Sequence, residues 1–282
     1  MSLAVFEHIK QINSWVISQR NQGYSVGFVP TMGALHAGHQ SLIEMAARQC
    51  DRVVASVFVN PTQFNNPDDL RKYPRTPEAD RTMLEAAGCH ALFCPEIGEM
   101  YPAGEQTTHW DFGALTHSLE GHFRPGHFDG VLTIVKKLFL AVSPDKAFFG
   151  EKDFQQLAII KRMTQVENLP IEIVSAPTIR EASGLAMSSR NVRLSETERG
   201  TATCISKIIL GAQKTGRAIK PQDLERSAIE QLKAVPKLDL EYCALVKATD
   251  FSKLESWPSE NAVLLVAAYV GGVRLIDNVI IG

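Results

Sequence analysis

Val29-Pro30-Thr31-Met32-Gly33-Ala34-Leu35-His36-Ala37-Gly38-His39 is the stretch whose reading decides the fold. It follows an apolar run, Ser25 to Val29, and leads into a segment of helical period, Ser41 to Gln49, with Leu42, Ile43, Met45 and Ala46 apolar. That order is a strand turning into a helix. Further apolar runs stand at Val53 to Val59, Ala91 to Cys94, Ala147 to Phe149 and Ile171 to Val174. Runs that are apolar at successive positions belong to strands buried on both faces, hence to a parallel sheet. Segments of helical period lie between them at Pro77 to Ala87, Val131 to Val142 and Phe154 to Val166. The alternation predicts an α/β fold built on a Rossmann-like, doubly wound parallel sheet.

The pattern changes near residue 178. A polar stretch, Arg180 to Arg193, precedes helical segments at Glu196 to Gln213 and Pro221 to Ala234. Strand-like runs then close the chain at Leu240 to Val246, Ala262 to Val270 and Val273 to Ile281, the last two separated by a hairpin signal, Gly271-Gly272. We therefore expect a catalytic domain over 1–178 and a smaller C-terminal α+β domain over 179–282.

With 282 residues, 45% hydrophobic and 21% charged, the chain can bury a sizeable core, which excludes disorder as its main state. Lys plus Arg number 29 against 31 Asp plus Glu. No global basic field exists for nucleic acid, so an anionic ligand needs a local site. The longest apolar run, Ala262 to Val273, is short of the ~20 residues of a membrane-crossing helix. Glu7, His8 and Lys10 interrupt any secretory signal near the N-terminus. A cytoplasmic protein with no nucleic-acid or membrane partner is the expectation. Cys50, Cys89, Cys94, Cys204 and Cys243 fit no disulfide or zinc spacing and read as small apolar residues.

In an open parallel sheet, ligands collect where strands end and helices begin, and unpaired helix N-terminal amides there favour phosphate oxygens. Gly38 lets a flat ring or a phosphate approach the backbone, and His36 and His39, three apart, project from one face of a helical turn. Two imidazoles on a triphosphate is one reading. Two others stay open at this point. Ser41 and Glu44 could form a capping box that starts the helix alone, leaving the histidines in a surface loop. His-x-x-His could also be half a metal site, though companion ligands are lacking.

His36-Ala37-Gly38-His39 resembles the H-x-G-H element of the nucleotidyltransferase superfamily. Four more segments narrow the likeness: Phe58-Val59-Asn60-Pro61-Thr62-Gln63-Phe64, Tyr73-Pro74-Arg75-Thr76, Phe148-Phe149-Gly150-Glu151-Lys152-Asp153-Phe154-Gln155-Gln156, and Gly184-Leu185-Ala186-Met187-Ser188-Ser189-Arg190-Asn191. In this order they resemble the pantothenate synthetase (pantoate–β-alanine ligase) family. The resemblance implies ATP-dependent condensation of pantoate with β-alanine through a pantoyl adenylate, with Mg2+ accompanying ATP and a homodimeric assembly. It also implies roles. His36 and His39 contact the nucleotide, His39 as proton donor to the phosphate chain. Met32, Gly33, Ala34 and Leu35 line the adenosine side with Ala37 and Gly38 beside them, and Ile179 meets adenine through its backbone. Gly150, Glu151, Lys152 and Asp153 form a phosphate- and ribose-side turn in which Lys152 contacts the transferring phosphates. Met187, Ser188, Ser189 and Arg190 correspond to the K-M-S-K-S loop, with Ala186 in place of its first lysine. Gln63 and Gln156, with Asn60, hold pantoate, and Arg124 and His127 steer the β-alanine carboxylate.

Those residue types suit that chemistry. Adenylation replaces an oxide leaving group by AMP and gathers charge on phosphoryl oxygens, so cations and preorganised donors are the main need. The catalytic candidates are accordingly His39, His36, Lys152, Ser188 and Arg190. Neutral amides such as Gln63 and Gln156 can meet both hydroxyl and carboxylate of an acid substrate without repulsion. Plainer readings stand beside these. Asp153 and Gln156 could be an N-cap and its reciprocal partner, Ser188 and Ser189 a linker, and Asp80 or Glu78 a solvated or capping residue. Mg2+ needs few protein ligands, so no dedicated metal residue is assigned. A nucleotidyltransferase acting on a phosphate-bearing substrate would want a basic pocket where the glutamines stand, and a regulatory nucleotide-binding module would not need Lys152 and Arg190. The smaller domain is expected to act as a lid that shields the adenylate from water.

Overall fold

The two faces of the central strands explain the architecture. In the strand Val26–Thr31, Val26 and Phe28 pack into one core and Val29 into another; in Lys146–Gly150, Ala147 and Phe149 face the first core and Phe148 the second. The computed structural model describes residues 3–102 and 105–282. Its elements are β1 (Ala4–Phe6), α1 (Ile9–Asn21), β2 (Val26–Thr31), α2 (Ala37–Gln49), β3 (Arg52–Val57), α3 (Pro67–Lys72), α4 (Pro77–Ala86) and β4 (Ala91–Phe93). Three short helices follow, α5 (Ile97–Met100), α6 (Ala114–His117) and α7 (Glu120–Phe123), then α8 (His127–Val142), β5 (Lys146–Gly150), α9 (Phe154–Val166) and β6 (Glu172–Ala176). The remainder is α10 (Glu196–Thr215), α11 (Pro221–Lys233), β7 (Leu238–Lys247), β8 (Ala262–Val270) and β9 (Val273–Ile281).

The first six strands form one parallel sheet in the order β1-β4-β3-β2-β5-β6. From β2 the chain winds outward through β3 and β4 and then returns to place β5 on the other side. The β2/β5 boundary is thus the switch point of the sheet, where the turns after the two strands diverge and leave a crevice at their carboxyl ends. This is the expected doubly wound arrangement. A second, antiparallel sheet, β7-β8-β9, carries α11 against β7 and α10 against β9. Gly271 and Gly272 make its tight hairpin with φ of 57° and 74°, a left-handed pair that glycine adopts without strain. The sheets share a core, because Val246, Phe251, Val263 and Leu265 join the cluster that contains Phe28, Phe139 and Phe149. No helix among the described residues is long and apolar enough to cross a membrane.

Element bounds differ from the sequence reading in instructive ways. Helix α2 begins at Ala37, not Ser41, and α8 at His127, not Val131. Helix α2 starts in a polar, histidine-bearing turn before its apolar periodicity begins, whereas the first turn of α8 already contributes buried Phe128 at helical spacing from Val131, Leu132 and Val135. Strand β1 is only three residues long and leaves no readable run, whereas α1 carries Ile9, Ile12 and Val16 at helical spacing although it buries only Ile12 and Val16 of its 13 residues.

Candidate active site

The turn after β2 combines local bonds with contacts from distant residues. Thr31 donates its hydroxyl to the Ser56 carbonyl (2.7 Å) and accepts from the Gly33 amide (3.1 Å). Gly33 and Ala34 are left-handed, with φ of 79° and 49°, which aims the amides of Ala34 and Leu35 inward. The Asp80 carboxylate receives both, at 2.9 and 2.8 Å, together with the Thr76 hydroxyl at 3.0 Å. Asp80 is 3% exposed. The expected solvated or helix-capping role is therefore corrected: two inward amides need an acceptor, and Asp80 supplies it.

Helix α2 is capped by the two histidines themselves. The Gly38 amide donates to His36 Nδ1 (3.2 Å) and the His36 amide to His39 Nδ1 (3.3 Å), a reciprocal capping box made of imidazoles. The expected Ser41–Glu44 box does not form; Ser41 donates to the Gly38 carbonyl at 2.8 Å, and Glu44 accepts from Gln40 at 2.9 Å. The reason is helix start: with Ala37 already helical, Ser41 lies inside the second turn. Because each Nδ1 accepts an amide proton, the hydrogen of each neutral ring sits on Nε2. The rings lie 4.1 Å apart. Burial, then the nearby Lys152 charge, lowers the His36 pKa to about 4; burial, then His36 and Lys152, lowers that of His39 to about 3. Both are neutral donors at physiological pH.

Across the switch point, β5 ends at Gly150 and a single helical turn, Glu151–Asp153, leads into α9. Lys152 Nζ lies 3.5 Å from Asp153 Oδ2, and its side chain is 18% exposed. Asp153 makes no side-chain cap bond, so the D-x-x-Q capping box is absent. Its neighbour Gln155 turns away, buried, donating to the carbonyls of Leu115 and Ser118 and accepting from the Glu120 amide. Gln156 faces the cleft.

The segment 187–190 closes the third side. The Met187 amide donates to the Ile179 carbonyl (2.9 Å), Ser188 caps the short turn Ser189–Arg193, and Ser189 donates to the Ala34 carbonyl (3.0 Å) of the histidine turn. Arg190 is engaged with Asp69 of α3, at 2.7 Å through its terminal nitrogen, and Arg193 meets the same carboxylate at 2.8 Å. Burial alone would raise the Asp69 pKa, but the two guanidiniums hold it below the usual carboxylate range.

The pantoate-side candidates converge as well. Asn60, 1% exposed, donates to the Gly130 carbonyl (3.1 Å) and to Gln63 Oε1 (3.2 Å), and accepts from Tyr101 (2.8 Å) and Thr62 (3.0 Å). Gly130 admits this packing: a Cβ there would come within 2.5 Å of the Thr62 carbonyl oxygen. His127 and Arg124 lie behind Gln63, in an adjoining pocket that shares Lys152, Asp153 and Gln156 with the cleft. Buried His127 donates from Nδ1 to the Gln63 carbonyl (2.7 Å), and Arg124 reaches the same oxygen at 3.4 Å while pairing with Glu120. Together the walls enclose a cleft of about 210 Å³ lined by Met32, His36, Gly38, His39, Asn60, Gln63, Gly150, Lys152, Asp153, Gln156, Ile179 and Met187–Arg190. Gly33, Ala34, Leu35, Ala37 and Glu151 stand in its supporting turns. Asp80 and Asp69 were missed as parts of the site, since an acidic residue in the first turn of a helix carries no signal of a distant amide or guanidinium.

The comparisons with known proteins agree over nearly the whole chain. A family model described as Pantoate-beta-alanine ligase matches residues 4–280. Pantothenate synthetase of Porphyromonas gingivalis W83 is 48% identical over 279 residues, 98% of this chain and 99% of the relative; that of Ruegeria pomeroyi is 46% identical over 280 residues, 99% and 98%. Among solved structures, pantothenate synthetase from Thermus thermophilus superposes with a TM-score of 0.92 at 41% identity, covering 98% of this chain and 99% of that one. Pantoate-beta-alanine ligase from Francisella tularensis, complexed with beta-gamma ATP and beta-alanine, gives 0.82 at 35% identity, covering 99% and 97%. On sequence, fold and coverage together, the chain belongs to the pantoate–β-alanine ligase family.

Proposed function

We propose that the chain catalyses ATP-dependent formation of pantothenate from pantoate and β-alanine in the cleft at the β2/β5 switch point. One observation carries the reading: two neutral histidine donors face Lys152 across that point, with two glutamines in the same cavity. In the first step a pantoate carboxylate oxygen bonds to the α-phosphorus of ATP as the bond to the bridging oxygen breaks and pyrophosphate leaves. In the second, the β-alanine amine bonds to the acyl carbon, AMP departs with its oxygen, and the amine gives up a proton. His36 and His39 donate Nε2 hydrogens to phosphoryl oxygens, and Lys152 adds full charge where charge gathers. Gln63 and Gln156 hold pantoate, and Asn60 fixes Gln63. Arg190, with Ser188 and Ser189, grips phosphate. Met32 and Ile179 border the adenosine. Arg124 and His127 act on β-alanine from behind Gln63.

Mg2+ belongs to the proposal as companion of the nucleotide. The carboxylate lining the cleft is Asp153, 3.5 Å from Lys152, a donor set that fits an ion carried mainly by phosphate oxygens and water. Bound there, the ion would neutralise phosphate charge. Residues 179–282 serve as the lid, covering the phosphate end through the 187–190 segment. Five free cysteines fit a reducing cytoplasm, and a homodimer follows from the family resemblance. Pantoate-dependent ATP–pyrophosphate exchange tests the reading: exchange that requires pantoate is expected, and ATP binding without exchange overturns it.

A further inference from the structure

Strand β9 buries two consecutive polar residues, Asp277 at 4% and Asn278 at 6% exposure. Buried polar groups are costly unless fully partnered. Here the partners are informative. Asn278 Nδ2 donates to the main-chain carbonyls of Glu151 (2.9 Å) and Lys152 (2.8 Å), so one side chain from the second sheet holds the turn after β5. That turn has little support of its own: it is a single helical turn, and Asp153 makes no cap bond. Asn278 is itself fixed. Its amide donates to Asp277 Oδ1 (2.8 Å), and Asp277 receives Arg180 through both terminal nitrogens (2.6 and 3.0 Å) and the Ser206 hydroxyl (3.1 Å).

We propose that Asn278 is a positioning residue for Lys152, setting the lysine backbone so that the ammonium meets the transferring phosphate. The inference rests on the role given to Lys152 above. Misplacing a reacting group by a fraction of its contact distance costs rate more than affinity, so the loss should fall on turnover. A residue acting only through Lys152 should lose its effect once Lys152 is gone, whereas a general structural contribution would persist.

The test is a double-mutant cycle on the full chain, read by pantoate-dependent ATP–pyrophosphate exchange at saturating substrates. Asn278→Ala is expected to slow exchange about tenfold with the KM for pantoate changed less than about twofold. In a Lys152→Ala background the same substitution is expected to cost less than about twofold. Asn278→Ser, with one proton for two carbonyls, should fall between, and it replaces the alanine variant if that does not fold. Equal losses in both backgrounds, a loss confined to KM, or no loss in folded Asn278→Ala overturns the proposal. Amide hydrogen exchange over residues 151–155, followed by mass spectrometry, supplies an arm that needs no activity. Faster exchange there in the variant is expected, and unchanged protection overturns the positioning role. Absence of exchange activity in the parent chain itself would instead count against the proposed reaction.

Discussion

The turns after β2 and β5 face each other across one crevice and are built by opposite means. The histidine turn is capped by neighbours: its cap bonds join residues two and three apart, and its rings are neutral donors. The lysine turn carries full charge and borrows its support from a side chain 126 residues away in the second sheet. Neutral donors can be half-buried and self-capped at small cost. The lysine turn has its backbone placed from outside, because it is a single helical turn with no side-chain cap bond of its own. The difference predicts where deletion hurts most. Lys152→Ala removes the charge itself and is expected to slow pantoyl adenylate formation by about 10²–10³, the usual scale for one transition-state electrostatic donor, while pantoate affinity changes little. Single-turnover rates and equilibrium binding check this, and a normal single-turnover rate would break the contrast between the two turns.

The same contrast explains what was legible in the sequence. The parallel sheet could be read because strands buried on both faces leave continuous apolar runs such as Val53 to Val59 and Ala147 to Phe149. The histidine turn could be found because its chemistry is contiguous, though residue type points to Ser41 and Glu44 for its cap, since they cap helices more commonly than imidazoles. Lys152 stood out only through the family resemblance, and its support was invisible. Asn278 sits inside a strand-like run that already holds Asp277, and Asp69 and Asp80 on helices with ordinary polar faces. Contacts such as Asn278 to Lys152 depend on how two sheets meet, which no local periodicity encodes.

Asp80, which receives two amides of the histidine turn, is with Ser189 among its distant supports, and it sharpens the comparison at intermediate size. Asp80→Asn keeps the shape but turns one acceptor into a donor facing the Ala34 or Leu35 amide, leaving a buried amide unpaired at about 1–3 kcal/mol. The expected result is a matching loss of stability by denaturant unfolding and a severalfold rise in the KM for ATP. Because the histidine cap bonds remain, the single-turnover rate at saturating ATP should fall less than in Lys152→Ala. A larger fall would mean that the histidine turn leans on distant residues as heavily as the lysine turn does.

The smallest expected effect is on the pH profile, where the two turns should be told apart by silence. With pKa values of about 4 and about 3, His36 and His39 keep Nε2 protonated and Nδ1 accepting throughout the neutral range. Single-turnover adenylation should therefore show no inflection from an imidazole between about pH 6 and pH 8. Stability behaves differently, and its sign follows from proton uptake. Above about pH 6.5 the rings are neutral in the folded and unfolded chains alike, so they impose no slope. Below it the unfolded chain binds protons that the folded turn refuses, and stability declines as pH falls until the folded pKa values are passed. Replacing His39 by Asn, which has no group titrating there, should shorten that decline. A rate inflection near pH 6.5 that disappears in His39→Asn would show a histidine cycling through its charged form, and the division between a neutral turn and a charged one would fail.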